Sequence, residues 1–336
     1  MIHQKALRTV AAAAAVAAVV LVALVPGPAS AHQSRAAGNG NDLPAIHGYK
    51  TVWSDNFNGK AGASVDSRNW LFDLGQGYGC SSCPAHWGTD EIETMSSSTQ
   101  NVALDGSGNL LITPVKQADG SWTSGRIETV SDAFAAPVNG ILRVQASIQL
   151  PQTGVGPEAA GYWPAFWSMG APFRENGHNG WPGIGEIDVM ENINGRGTAF
   201  ATLHCGVAPG GPCNEFNGLG VTKDDATLQD SFHTYAMELD KSVSPQEIRF
   251  YLDGSLTGTI SEAAVGSAAW AQATDHGFFL ILDVAMGGSF PWAECNFFPH
   301  AGGCSGSTPY PQVVTANTVS GVPMKVGYVA VYTAKK

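Results

Sequence analysis

Between Trp181 and Asn194 the chain reads Trp-Pro-Gly-Ile-Gly-Glu-Ile-Asp-Val-Met-Glu-Asn-Ile-Asn, which sets three carboxylates, Glu186, Asp188 and Glu191, inside an apolar run. Ionised groups are costly to bury, so such a run needs a reason. Ile187, Val189 and Met190, bounded by glycines, predict a short strand rather than a helix. Residues two apart on a strand share a face, so Glu186 and Asp188 point together and Ile187 turns toward a core. Glu191 lies five residues after Glu186 and falls on the opposite face of a regular strand. One extra residue near Val189 and Met190, a β-bulge, restores the phase, and bulges are frequent beside active sites. The bulged segment then spans about four regular steps, roughly 13 Å at about 3.3 Å per residue. With each Glu leaning inward by roughly 3.5 to 4 Å, the carboxyl groups end about 5 to 6 Å apart, near the spacing of retaining glycosidases. Two Asp would not reach. Spacing alone leaves two readings open, a nucleophile and general acid tuned by Asp188, or a solvated edge strand; the flanking hydrophobics and glycines argue against the second.

The stretch Gly185-Glu186-Ile187-Asp188-Val189-Met190-Glu191-Asn192 resembles the active-site signature of glycoside hydrolase family 16, in the bulged Glu-x-Asp-x-x-Glu form of laminarinase-like members. The shorter Glu-x-Asp-x-Glu form marks the lichenase and xyloglucan branches. Further matches extend the resemblance over nearly all of the chain beyond its N-terminal segment. The resemblance implies Glu186 as nucleophile, Glu191 as acid/base and Asp188 as a residue that tunes their pKa values, with Glu186 low and Glu191 raised.

The apolar content of 44% suffices for a sizeable core, while 41 Gly, 19 Pro and only 13% charged residues predict many turns and short strands. A net charge of −11 disfavours nucleic acid, anionic membrane or a sulfated polysaccharide as partner. Lys5 and Arg8 precede the apolar run from Val10 to Val25, and Ala29-Ser30-Ala31 follows with small residues, which predicts a signal peptide over 1–31. The run is short, Ala-rich and lacks basic stop-transfer residues, so no membrane anchor is expected after cleavage. Its removal takes two positive charges and leaves −13. The protein is expected to be secreted and monomeric. Residues 32–45 read as a polar flexible linker, and 46–336 as a single catalytic domain.

Six Cys in a secreted chain point to disulfides. They fall as three close pairs, Cys80 with Cys83, Cys205 with Cys213, and Cys295 with Cys304. Six Cys allow 15 connectivities; local pairing is the expectation, with the bridges bracing cleft loops more than the core. The Cys-x-x-Cys of Cys80 and Cys83 also suits redox or metal chemistry, against which stand the oxidising compartment and the lack of a second such motif.

Trp163-Pro164-Ala165-Phe166-Trp167 puts Trp163, Ala165 and Trp167 on one strand face, a platform on which pyranose rings can lie. A core aromatic pair is the alternative from the residues alone; the run resembles the family's sugar-binding strand. Ser124-Gly125-Arg126-Ile127 is similar to another family strand, and Arg126 offers a planar fork for sugar hydroxyls or for orienting a carboxylate. His204, at the end of the strand predicted from Ala199, matches a position that lines the cleft, although alone it reads as a satisfied structural His. No second His stands at ligand spacing, so no metal site is expected. Trp292 is expected to wall the cleft within the loop of Cys295 and Cys304. Thr89 and Asp283 stand where relatives commonly carry Asn. Gly327 stands where relatives carry an Asp that helps hold a structural calcium, so that ligand is missing; the chemistry itself needs no cofactor.

The fold implied is all-β, a two-sheet antiparallel sandwich of jelly-roll, concanavalin A-like type with a concave substrate cleft. Asp253-Gly254 is expected as a hairpin turn, and the strand from Lys325 to Thr333 as the partner of the opening strand. The expected function is endo-cleavage, with retention, of β-1,3 or mixed β-1,3/1,4 glucan. A β-1,3-galactanase or agarase-like hydrolase is the nearest alternative. A non-catalytic lectin and a structural envelope protein are alternatives of other classes, but a binder has no need for all three acids.

Overall fold

The computed structural model describes residues 43–293 and 313–335. The expected signal peptide over 1–31, most of the linker, Cys295 and Cys304 lie outside the described residues. Two large antiparallel sheets carry the fold. One runs in the order Ser255–Ser261, Glu247–Leu252, His233–Asp240, Gly140–Gln149, Met324–Lys335, Leu110–Ile112 and Val102–Leu104, and Lys50–Asp55 also pairs with Met324–Lys335. The other runs Leu219–Asp224, Thr198–His204, Glu186–Glu191, Tyr162–Gly170, Phe278–Met286, Arg126–Thr129 and Trp70–Phe72. This is the all-β sandwich that the alternating patterns imply.

Alternation decides which side each residue serves. Phe166, Ile187, Leu203, Leu280, Leu282 and Val284 of the second sheet, with Leu142, Val144, Met237, Leu239, Phe250 and Val331 of the first, form one buried apolar cluster. Residues one step out of phase on the second sheet, among them Trp163, Trp167, Glu186, Asp188 and Asp283, face away from it. Asp253 and Gly254 both take positive φ, 49° and 75°, in the two-residue turn between Glu247–Leu252 and Ser255–Ser261, a geometry that suits Asp-Gly. The opening and closing strands pair as expected, Lys50 opposite Thr333 and Asp55 opposite Val329. Pro44 accepts a hydrogen bond from the Tyr332 hydroxyl at 3.0 Å, so the chain is already tied to the sandwich within the expected linker.

Two features depart from the sequence pattern. A small third sheet joins Glu93–Met95, Trp122–Ser124 and Val115–Lys116, its first pair parallel. Helices cover Glu262–Val265 and Ser267–Thr274; the second buries Trp270, Ala273 and Thr274 and is too short to show a helical period. Among the described residues no helix is long and apolar enough to cross a membrane.

Candidate active site

The strand Glu186–Glu191 pairs with Tyr162–Gly170, and the pairing explains how its carboxylates meet. Glu186 stands opposite Met169 and Asp188 opposite Trp167; the register then slips, so that Met190 faces Phe166 and Glu191 faces Ala165. Val189 is the extra residue. It and Met190 both turn into the core, 4% and 0% exposed, which is where the carboxylate phasing requires a bulge. Glu186 and Glu191 therefore lie on one face, opposite residues four apart on a regular strand.

Each Glu holds the indole N–H of a tryptophan. Trp181 Nε1 donates to Glu186 Oε2 at 3.0 Å, and Trp163 Nε1 donates to Glu191 Oε1 at 2.9 Å. On the neighbouring strand Thr198–His204, His204 stands opposite Glu186 and Thr202 opposite Asp188. His204 Nε2 lies 3.4 Å from Asp188 Oδ2 and 4.0 Å from Glu186 Oε1, while its Nδ1 is 2.7 Å from Glu215 Oε2. Burial works against charge on His204; the nearby carboxylates of Asp188 and Glu215, with the charge of Glu186, overcome it and push its pKa up to about 11. Glu186, Asp188 and His204 each bring one potential ligand atom within 4.8 Å of the others, and the attraction between the carboxylates and the imidazole makes them an ion-paired cluster.

Burial and the Asp188 charge push Glu186 up to about 8, with His204 and the Trp181 N–H working the other way. Burial and Asp188 also raise Glu191 well above the usual carboxylate range. The expectation of a low pKa on Glu186 is thus corrected for the free site: a nearly dry sheet face with a neighbouring carboxylate raises both acids. Asp188 reaches His204 rather than serving only as a direct partner of Glu186.

Trp163, Ala165 and Trp167 share the face as expected, but the indoles are not free plates. Trp167 Nε1 donates to Asp283 at 2.9 Å, and the Arg126 guanidinium lies 4.8 Å from the Trp167 ring and 4.3 Å from that of Trp87. Trp163 meets Phe290 edge-on at 5.7 Å. Arg126, 4% exposed, donates Nε to Asp73 at 2.9 Å and Nη2 to the Tyr78 hydroxyl at 2.8 Å. Its guanidinium therefore orients the carboxylate of Asp73. Asp283 stands opposite Ala165 across from Glu191; burial and Glu91 push it up to about 7 against the pull of Arg126. Thr89 donates to Glu91 Oε1 at 2.5 Å, so the residue in place of Asn serves a neighbouring acid. Trp292 sits in the short helix Ser289–Ala293. Gly327 lies where the register of Met324–Lys335 shifts, between Val326 and Tyr328, and supplies no side chain for an ion.

Cys80 bonds Cys83 and Cys205 bonds Cys213. Cys205 and Cys213 are both fully buried and belong to the main apolar cluster, so this bridge is a core element, contrary to the expectation that all three mainly brace loops. Two residues escaped the sequence reading. Trp181 opens the carboxylate stretch, and its offset of five from Glu186 was a signal available to be read. Glu215, with a fully buried side chain, lies in no periodic segment and gave none. Phe216 beside it, 67% exposed, stacks on Trp181 at 6.1 Å.

A family model described as XgeA-like, catalytic GH16 domain, matches residues 150–240, the segment that carries Trp163, the three acids and His204. An endo-1,3-β-glucanase from Streptomyces sioyaensis, solved by crystallography, is 48% identical, with 88% of this chain and 100% of that one covered at a TM-score of 0.80. The glucan endo-1,3-β-glucosidase A1 of Niallia circulans is 29% identical over 266 residues, 74% of this chain and 35% of that protein. The keratan-sulfate endo-1,4-β-galactosidase of Sphingobacterium multivorum is 28% identical over 253 residues, 74% of this chain and 51% of that protein. The chain thus spans a third to a half of the length of these last two relatives.

Proposed function

The chain belongs to glycoside hydrolase family 16, and from this premise we propose that it is a secreted, monomeric endo-β-1,3-glucanase that cleaves laminarin-like or mixed β-1,3/1,4 glucans with retention. The observation that carries the reading is the bulge at Val189, which sets Glu186 and Glu191 on one face with an indole N–H on each. Glu186 attacks the anomeric carbon while Glu191 gives its proton to the departing glycosidic oxygen. Glu191 then takes a proton from a water whose oxygen bonds to the anomeric carbon, and the bond from that carbon to Glu186 breaks, releasing the sugar. With Trp163 fixed on Oε1, the other oxygen of Glu191 is left for that proton. The imidazolium of His204 offsets the negative charge of Glu186 and Asp188, and substrate binding adjusts the balance further by displacing water. No cofactor takes part.

The similarity to the Streptomyces sioyaensis glucanase supports a β-1,3-glucan as substrate. The similarity to a keratan-sulfate galactosidase keeps a galactan as the second reading, but a net charge of −11 repels a sulfated chain. New reducing ends released from laminarin, lichenan, agarose and β-1,3-galactan at equal enzyme decide between them. Laminarin is expected to be cut fastest, with β-configured early products by proton NMR. Faster cleavage of the galactan overturns the substrate, α-configured product overturns the mechanism, and no release at all favours a lectin.

A further inference from the structure

The carboxylate of Glu215 stands behind the site, fully buried, and both of its oxygens are committed. Oε2 meets His204 Nδ1 at 2.7 Å, and Oε1 accepts the backbone N–H of Cys205 at 2.8 Å. The loop that delivers it leaves the strand Thr198–His204 at Cys205, is closed by the buried bridge to Cys213, and reaches Glu215 two residues later. Gly210 and Glu215 exchange backbone hydrogen bonds across the loop. A buried carboxylate needs a cation or several donors to offset desolvation, and His204 is the cation in contact with it.

The groups that face His204 are few. The paired strand contributes Glu186 and Asp188, the loop contributes Glu215, the Trp181 ring lies 5.6 Å away, and on the far side Gly218 leaves the ring uncrowded. We propose that Glu215 is a positioning residue for the reaction: by accepting from Nδ1 it fixes the His204 ring and keeps Nε2 turned toward the Asp188 and Glu186 carboxylates, 3.4 Å and 4.0 Å away. Glu215 touches no substrate. It works through His204, whose second ring nitrogen is the one that faces the reacting acid. The direction in which His204 titrates agrees with this geometry, since Glu215 and Asp188 both favour its charged form. The kinetic part of the inference rests on the glycosidase reading; the state of the His204 ring does not.

The substitution Glu215→Gln isolates the charge. Its amide oxygen can still accept the Cys205 N–H, which leaves the NH2 group facing Nδ1. An NH2 donor and an Nδ1–H donor oppose one another, so His204 must lose its Nδ1 proton and become a neutral Nε2–H ring. The experiment is nitrogen-15 NMR of imidazole-labelled protein from pH 5.5 to 9, paired with the pH dependence of laminarin hydrolysis. In the wild type, both His204 nitrogens are expected to stay protonated throughout. In E215Q, one His204 nitrogen is expected to lose its proton within the range, and kcat to fall at least tenfold on the alkaline side relative to the wild type while KM changes less than threefold. A neutral His204 in the wild type at pH 7 overturns the proposal without any variant being made. So does an E215Q enzyme whose His204 spectrum and pH profile match the wild type, or one whose kcat falls equally at all pH values, as loss of loop structure alone would produce. A wild type inert on laminarin overturns the glucanase reading, and the NMR result still decides whether Glu215 holds His204.

Discussion

Trp163 donates its indole N–H to Glu191 at 2.9 Å from the strand directly beside it. A hydrogen bond to a carboxylate favours the ionised form, and this one works against the burial that raises Glu191. Trp163→Phe removes the donor and keeps most of the ring. Glu191 should then stay protonated to higher pH, moving the alkaline limb of kcat/KM up. Trp181→Phe does the same to Glu186, but the nucleophile role proposed for Glu186 needs it ionised, so there the acid limb moves up. A hydrogen bond to a charged group contributes about 1.5 to 3 kcal/mol, so each limb should move by on the order of one pH unit. Both limbs should also lie above the ordinary glutamate value even in the wild type. Profiles of kcat/KM for the three proteins check this, and both variants moving the same limb would contradict the assigned roles.

A second pair of acids gives a prediction about stability. Glu93 is fully buried and accepts the Met286 N–H at 2.8 Å on Oε2, while its Oε1 has no hydrogen-bond partner among the described residues. Burial and the Glu91 charge raise Glu93 well above the usual range. A carboxyl whose folded pKa exceeds its unfolded one binds more protons in the folded state, so stability falls as pH rises from the unfolded value through the folded one. Glu93→Gln imitates the protonated acid without a titrating group. Thermal unfolding from pH 4 to 8 should show E93Q close to the wild type at pH 4 and increasingly more stable above it. The gain should reach about 1 to 3 kcal/mol, a shift of a few degrees. A constant difference across the range would rule out a titrating origin.

Gly218 tests the placement of His204 from its other side. Its φ is 72°, and a Cβ there would lie 2.3 Å from Thr202 Cγ2 and 2.9 Å from His204 Cε1. Gly254 has a similar φ of 75° with nothing within 4 Å of such a Cβ. Alanine at either position meets the same backbone strain, about 1 to 2 kcal/mol, but only Gly218→Ala pushes on the ring. Both variants should lose a few degrees of Tm, whereas kcat should fall about tenfold or more in G218A and stay near the wild type in G254A. Equal kcat in the two would show that the ring tolerates the displacement.

What could be read from the chain follows the reach of strand periodicity. The three acids, the bulge at Val189 and the shared face of Trp163 and Trp167 all follow from a period of two applied within a single strand. The hairpin at Asp253 and Gly254 follows from turn chemistry. Partners supplied by other segments were out of reach. Arg126 is held by Asp73 and Tyr78, which come from irregular chain some fifty residues earlier, and no local pattern connects them. Glu93 sits in a three-residue strand, too short for alternation to show that it is buried. The rise in the pKa of Glu186 depends on how much water the sheet face excludes and on the nearness of Asp188, both set by tertiary packing.

The two described disulfides should separate in their effects, because they sit in different surroundings. Cys80 and Cys83 are three residues apart and half-buried, so their bridge closes a loop that restricts the unfolded chain little. Replacing both by alanine should fall at the low end of the roughly 0 to 5 kcal/mol known for disulfides and leave kcat on laminarin nearly unchanged. Cys205 and Cys213 are fully buried in the main apolar cluster and close the loop that ends at Glu215. Replacing these removes packed sulfur from the core as well as the cross-link, and the expected loss is about 2 to 5 kcal/mol. Because Glu215 then loses its anchor, kcat measured well below the unfolding transition should fall too. Calorimetry and initial rates on both double variants, each confirmed by peptide mapping without reduction, check the contrast. Equal losses of Tm with unchanged kcat in both would show that the buried bridge is no more than a second staple.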